Sequence, residues 1–125
     1  LLIGILSGNE DWLVKSNVEA GEGFADIIVE TDDPDEGIIA ELKYTKDFKA
    51  MEKSCEKALK QIKDRRYQEY LLNDDRQNIM YYGITFCRKR CTVQRKGCLS
   101  EISYAKRNGV KAHYGRVEFF FGKAV

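Results

Sequence analysis

Hydrophobic and polar positions change period along the chain. Up to residue 45 they come in short runs broken by glycine and acidic turns. Trp12–Glu19 mixes apolar and polar residues and is compatible with a strand. Gly21 and Gly23 bracket Glu22 as a tight turn, because glycine tolerates positive φ without strain. Phe24–Glu30 (FADIIVE) is rich in β-branched residues and predicts a strand. Thr31–Gly37 (TDDPDEG) has the residues of a turn, and Ile38–Thr45 (IIAELKYT) predicts the second strand of an antiparallel hairpin. The period then becomes helical. Over Asp47–Tyr67, the residues Phe48, Met51, Cys55, Ala58, Leu59 and Ile62 recur at spacings of three and four and form an apolar stripe. Lys53, Lys57 and Lys60 fall opposite it, and Asp47 sits where an N-cap belongs. Helix is expected to resume over Tyr67–Leu72, up to the break at Asn73-Asp74-Asp75. Ile79–Phe86 (IMYYGITF) predicts a buried strand. Beyond Cys87 the pattern weakens: Val117–Phe121 reads as a strand, and Ile102–Arg107 as a short helix or a strand. The order of elements predicts a small α/β domain with a mixed sheet.

Composition narrows the class. A chain of 125 residues, 43% hydrophobic and 33% charged, fits one domain able to bury a core. One proline and four cysteines exclude collagen, low-complexity disorder and a disulfide miniprotein. The run Leu1–Leu6 is too short to span a bilayer and lacks the basic start of a signal peptide, so a soluble, cytoplasmic chain without a membrane partner is expected. The chain opens on Leu1 and not on Met, and is expected to be part of a longer product. A net charge of +1 hides an asymmetry: residues 1–50 carry −8 and the remainder +9. This is compatible with an acidic centre beside an anion-attracting surface, and equally with solvated faces of mixed sign.

The strand Ile38–Thr45 carries the candidate chemistry. Alternation puts Ile39, Glu41 and Lys43 on one face, so a carboxylate and an ammonium project together from an apolar strand. The plain alternative is a Glu–Lys pair on a solvated face. Asp26 tips the balance. A hairpin folded about Pro34 and Asp35 sets Asp26 opposite Lys43, within diagonal reach of Glu41. Two carboxylates this close repel unless a cation sits between them, and oxygen ligands on strands suit Mg²⁺ or Mn²⁺.

The run Ser16-Asn17-Val18-Glu19-Ala20-Gly21-Glu22-Gly23-Phe24-Ala25-Asp26-Ile27-Ile28, followed by Ile39-Ala40-Glu41-Leu42-Lys43, resembles the PD-(D/E)XK nuclease superfamily. It is most similar there to the nuclease-like domains at the C-terminus of AAA-ATPase-like bacterial proteins. Gln61-Ile62 and Tyr67 on the helix, and the strand Tyr82–Phe86, continue the resemblance, which covers about residues 1–91 and leaves 92–125 unassigned within a single domain 1–125. The resemblance implies a restriction-endonuclease-like core, a mixed β-sheet with flanking helices. It implies that Glu19, Asp26, Glu41 and the backbone carbonyl of Leu42 hold Mg²⁺ or Mn²⁺. Lys43 would position the attacking water, and Gln61 would lean towards the site. On a helical wheel Gln61 lies at the edge of the apolar stripe, so the spacing leaves it facing inward or outward.

Three departures stand out. Ala25, not proline, precedes Asp26. The literal Pro-Asp pair is Pro34-Asp35, six residues before Glu41 and roughly 20 Å away along an extended path. The Gln61-to-Tyr67 spacing differs from that of recombination-type nucleases, which puts a role for Tyr67 in doubt. Cys87, Cys91 and Cys98 with His113 match no common zinc spacing. Arg88-Lys89-Arg90 with Arg95-Lys96 form a basic cluster that reads as a phosphate-binding surface or as a solvated strand end. The expected function is metal-dependent hydrolysis of phosphodiester bonds in nucleic acid, with DNA favoured. The alternatives are a catalytically silent nucleic-acid-binding or regulatory domain of an ATPase-linked protein, and a plain scaffold domain.

Overall fold

The structure is a computed structural model and describes residues 11–97 and the backbone of 114–120. Its strands are β1 (Leu13–Ala20), β2 (Gly23–Glu30), β3 (Glu36–Tyr44), β4 (Asn78–Cys87), β5 (Arg90–Lys96) and β6 (Tyr114–Phe120). They lie side by side in chain order in one six-stranded sheet. Only the β3–β4 pair is parallel among them; β1–β2, β2–β3, β4–β5 and β5–β6 are antiparallel. The parallel step needs a crossover, and helix α1 (Met51–Asp64) with the single turn α2 (Glu69–Leu72) supplies it. The mixed sheet and crossover helix agree with the expected fold class. The expectation for Ile102–Arg107 lies outside the described residues, as do Cys98 and His113.

The helix follows the stripe read from the sequence, with one exception. Met51, Cys55, Ala58 and Ile62 are buried, and Lys53, Lys57 and Lys60 are exposed. Phe48, expected on the stripe, lies instead in a 3₁₀ turn (Phe48–Ala50) and is 39% exposed. Asp47 caps that turn, its carboxylate accepting from the Lys49 N–H. The helix stops at Asp64. Arg66 takes a left-handed φ of 54°, and the chain folds back through Tyr67 before α2.

Helix α1 lies on one face of the sheet. Gly83 on β4 is its seat, since a Cβ there would come within 2.4 Å of the Cys55 carbonyl. Ile28, Ile39, Ile62, Tyr67, Leu71 and Ile79 form the core between helix and sheet, and burying each aliphatic side chain is worth about 1.5–3 kcal/mol. A second cluster, with Ile27, Val29, Ala40, Ile84 and Cys91, occupies the far face. The β1–β2 turn holds the end of the helix. The Glu22 N–H donates to the Arg65 carbonyl at 2.8 Å, and Arg66 pairs with the Glu22 carboxylate at 2.7 Å. Gly21, at a φ of +52°, packs where a side chain would strike the Arg65 and Arg66 carbonyls.

The β2–β3 hairpin is shorter than its sequence suggests. The register pairs Ile27 with Ala40 and Ile28 with Ile39, whereas a turn about Pro34 and Asp35 would set Ile28 opposite Glu41. The turn itself causes the shift. Asp33 accepts the Asp35 N–H on its side chain and the Glu36 N–H on its carbonyl, so the chain reverses one residue earlier. Arg76, leading into β4, donates to the carbonyls of Thr31, Asp33 and Glu36 and fixes this tighter loop.

Candidate active site

The strands lose their alternation at one place. Val14 packs on the far face and Val18 on the helix face, although four residues apart they would share a face in a regular strand. Ala25 and Ile28, three apart, both join the helix-side cluster. The break in β1 falls at Asn17, whose φ is 51°. Asparagine is one of the few residues that adopts this conformation readily. Neither Asn17 nor Asp26 pairs with a residue of the other strand, although both neighbouring positions do. The Ser-Asn element of the sequence thus has a local structural role: it distorts the sheet beside Asp26.

Freed from the ladder, the Asp26 carboxylate does the work of a strand. The β2–β3 backbone pairing ends at Ile27–Ala40, and the Leu42 N–H donates instead to Asp26 Oδ2 at 2.8 Å. Asp26 is thereby held against Glu41, the residue before Leu42.

Glu41 is 3% exposed, and its Oε2 has no hydrogen-bond partner among the described residues. Burial, the hydrogen bond with Asp26 and repulsion by the Asp26 charge raise its pKa from 4.5 to about 9, with Lys43 opposing. In the absence of a cation Glu41 therefore keeps its proton at neutral pH. An orphaned, buried carboxylate oxygen beside a second carboxylate fits a hard divalent cation. Among the described residues no third His, Cys, Asp or Glu joins them in a metal-binding group.

Lys43 lies on the same face two residues on. Its Nζ donates to Gln61 Oε1 at 2.5 Å, and Gln61 Nε2 donates to the buried Tyr67 hydroxyl at 3.1 Å. Gln61 therefore faces inward. Tyr67 is the residue whose place the sequence left in doubt: the reversal after Asp64 brings it back under Gln61, and Gly23 makes room for its ring. The helix-end reversal was the missing signal, since spacing on a continuous helix cannot show it.

Two sequence expectations are corrected by this geometry. Glu19 does not join Asp26 and Glu41: Val18 and Ala20 flank it and pack on the helix side, so the exposed Glu19 faces the other way. The basic cluster is not one surface either. Arg88 and Lys89 form the β4–β5 turn and Arg90 follows it, whereas Arg95 and Lys96 pair with Tyr82 and Tyr81 at the far end of β5. Arg90 and Lys96 are the two ends of this seven-residue strand, roughly 20 Å apart. Cys87 and Cys91 belong to opposite faces of the sheet, Cys91 with the far-face cluster, which does not suit a shared zinc ion. Asp35 stays in the hairpin turn, where its carbonyl accepts from Gln77 and Asn78.

No helix among the described residues is long and apolar enough to cross a membrane. No curated protein and no solved structure matches the chain. A family profile does match, over residues 1–96, and this span contains the Asp26, Glu41 and Lys43 constellation, the crossover helix and the first five strands. By that match the chain belongs to the PD-(D/E)XK nuclease superfamily.

Proposed function

We propose that the protein is a divalent-metal-dependent nuclease that hydrolyses phosphodiester bonds in DNA. The observation that carries the reading is the buried meeting of Asp26 and Glu41 beside Lys43, with Gln61 and Tyr67 behind it. A scaffold domain has no use for a carboxylate held so far from its ordinary pKa. Asp26, Glu41 and the backbone carbonyl of Leu42 would hold Mg²⁺ or Mn²⁺, with the remaining positions left to water and phosphate. The cation would supply Lewis acidity at the phosphate and neutralise the carboxylate pair. Lys43 presents three N–H donors, one of them committed to Gln61. The other two hold the attacking water and the phosphate oxygen on which charge develops. Gln61 fixes the Lys43 rotamer, and Tyr67 fixes Gln61. Arg88, Lys89 and Arg90 contact backbone phosphates.

The similarity to domains that end AAA-ATPase-like bacterial proteins suggests a cytoplasmic protein with a linked ATPase domain. The test is a cleavage assay with Mg²⁺ or Mn²⁺ on single-stranded, duplex and branched DNA, with Lys43→Ala alongside. Metal-dependent cleavage by the parent, lost in the variant, is expected. A parent that binds Mn²⁺ and nucleic acid but cleaves nothing would establish the silent binding domain instead.

A further inference from the structure

The C-terminal ends of β3 and β4 carry an aromatic pair that the proposed chemistry does not use. Tyr44, directly after Lys43, is 77% exposed. Its ring rests on Phe86, with centroids 5.5 Å apart and planes inclined by 23°, so one aromatic face is supported and the other meets solvent. At the same end of the sheet, where Cys87 of β4 pairs with Arg90 of β5, the guanidinium groups of Arg88 and Arg90 lie 5.5 and 4.4 Å from the centre of the Phe48 ring. Lys46 and Lys49 flank Phe48 in the sequence and are exposed, as is Lys89. Asp47 supplies the negative charge on this segment, and its carboxylate is engaged by the Lys49 N–H. A supported, solvent-facing aromatic ring at the same sheet end as a cluster of cations is the pattern that stacks a base and neutralises neighbouring phosphates.

We infer that this rim binds an unpaired segment of the substrate, so that the preferred substrate is DNA with a single-stranded overhang beside the scissile phosphate. The inference rests on the nuclease reading and adds a substrate class to it. Two arguments carry it. Only an unpaired base can swing out to lay a face on Tyr44, since the end pair of a blunt duplex is held square to a stiff helix. Alternation also turns Tyr44 to the sheet face opposite Lys43, so a chain that touches both must bend around the end of β3. Duplex DNA, with a persistence length of about 50 nm, does not fold around one strand end; a single strand does.

The test is a fluorescence-anisotropy titration in EDTA, where no cleavage occurs. The probes are a single-stranded oligodeoxynucleotide, a blunt duplex and the same duplex with an overhang. The parent should bind the single strand and the overhang more tightly than the blunt duplex. Tyr44→Ala should weaken the first two about tenfold and leave the third unchanged, and Tyr44→Phe should restore them. Arg88→Ala with Lys89→Ala should flatten the salt dependence on all three probes. Equal affinity of Tyr44→Ala and the parent for the overhang overturns the inference, as does a parent that binds blunt and overhanging duplexes alike. Overhang binding through Tyr44 without any cleavage in Mn²⁺ keeps the rim and removes the nuclease. Metal-dependent cleavage by a chain indifferent to Tyr44→Ala does the reverse.

Discussion

Glu41→Gln should make the protein more stable, by an amount that grows with pH. In the folded chain burial and Asp26 raise the Glu41 pKa from 4.5 to about 9. The folded state therefore holds a proton that the unfolded state has released. The resulting stability is complete below pH 4.5 and drains away as pH rises towards about 9. At 1.36 kcal/mol per unit, the loss by pH 7 reaches at most about 3 kcal/mol, and water reaching the site reduces it to about 2. Glutamine has nearly the same shape, never ionises, and can donate to Asp26 as the protonated acid does. Parent and variant should then have equal urea midpoints near pH 4.5, with the variant ahead by about 2 kcal/mol at pH 7 and further ahead at pH 8.5. Trp12, half-buried against the far-face cluster, provides the fluorescence signal. Adding Mn²⁺ at pH 7 should stabilise the parent alone and narrow the gap. An advantage that stays constant from pH 5 to pH 8.5 would refute the reasoning, because a packing effect does not titrate. So would a parent more stable than the variant in EDTA.

Lys43→Ala should bind Mn²⁺ with parental affinity by calorimetry while its cleavage rate falls about 10²–10³-fold, since ammonium is not a ligand but is a preorganised donor. Asp26→Asn should lose both properties in the same two measurements, because a neutral amide is a poor ligand for a hard cation. Gln61→Ala should lower the rate about tenfold without changing Mn²⁺ affinity, because one hydrogen bond positioning Lys43 disappears; an unchanged rate would detach Gln61 from the mechanism. Gly83→Ala should destabilise the fold by about 1–3 kcal/mol in urea titration, because the new methyl strikes the Cys55 carbonyl and lifts the helix.

The strand pair and its charged face were legible because alternation is a local rule and Glu41 and Lys43 break an otherwise apolar pattern. The exact partner of Asp26 was not. Register depends on where the turn closes, and three hydrogen-bonding candidates stand side by side at Asp32, Asp33 and Asp35. Glu19 was misplaced because one left-handed residue, Asn17, changes which face the following positions take. Strand β5 (RCTVQRK) escaped because its buried positions include Thr92 and its ends are basic, so no apolar period survives. Phe48 looked like core because a wheel drawn through it assumes one continuous helix, whereas the first turn is wound more tightly. The inward turn of Gln61 was undecidable on that wheel, and needed the return of Tyr67.

The clasp that Arg76 forms around the hairpin carbonyls lies roughly 20 Å along the strand from Glu41. It nevertheless decides what Asp26 can meet. Pairing along a strand is a matter of counting, and a turn centred one residue later moves the facing position by two. The carboxylate of Asp26 would then confront an ammonium in place of an acid, forming an ordinary ion pair with no reason to attract a metal. The identity of the centre is thus written partly in the position of a distant turn. A turn displaced by one residue would leave Asp26, Glu41 and Lys43 in the sequence while dissolving their relationship. In this fold the three letters of a motif are necessary, and the arithmetic between them is what makes them chemistry.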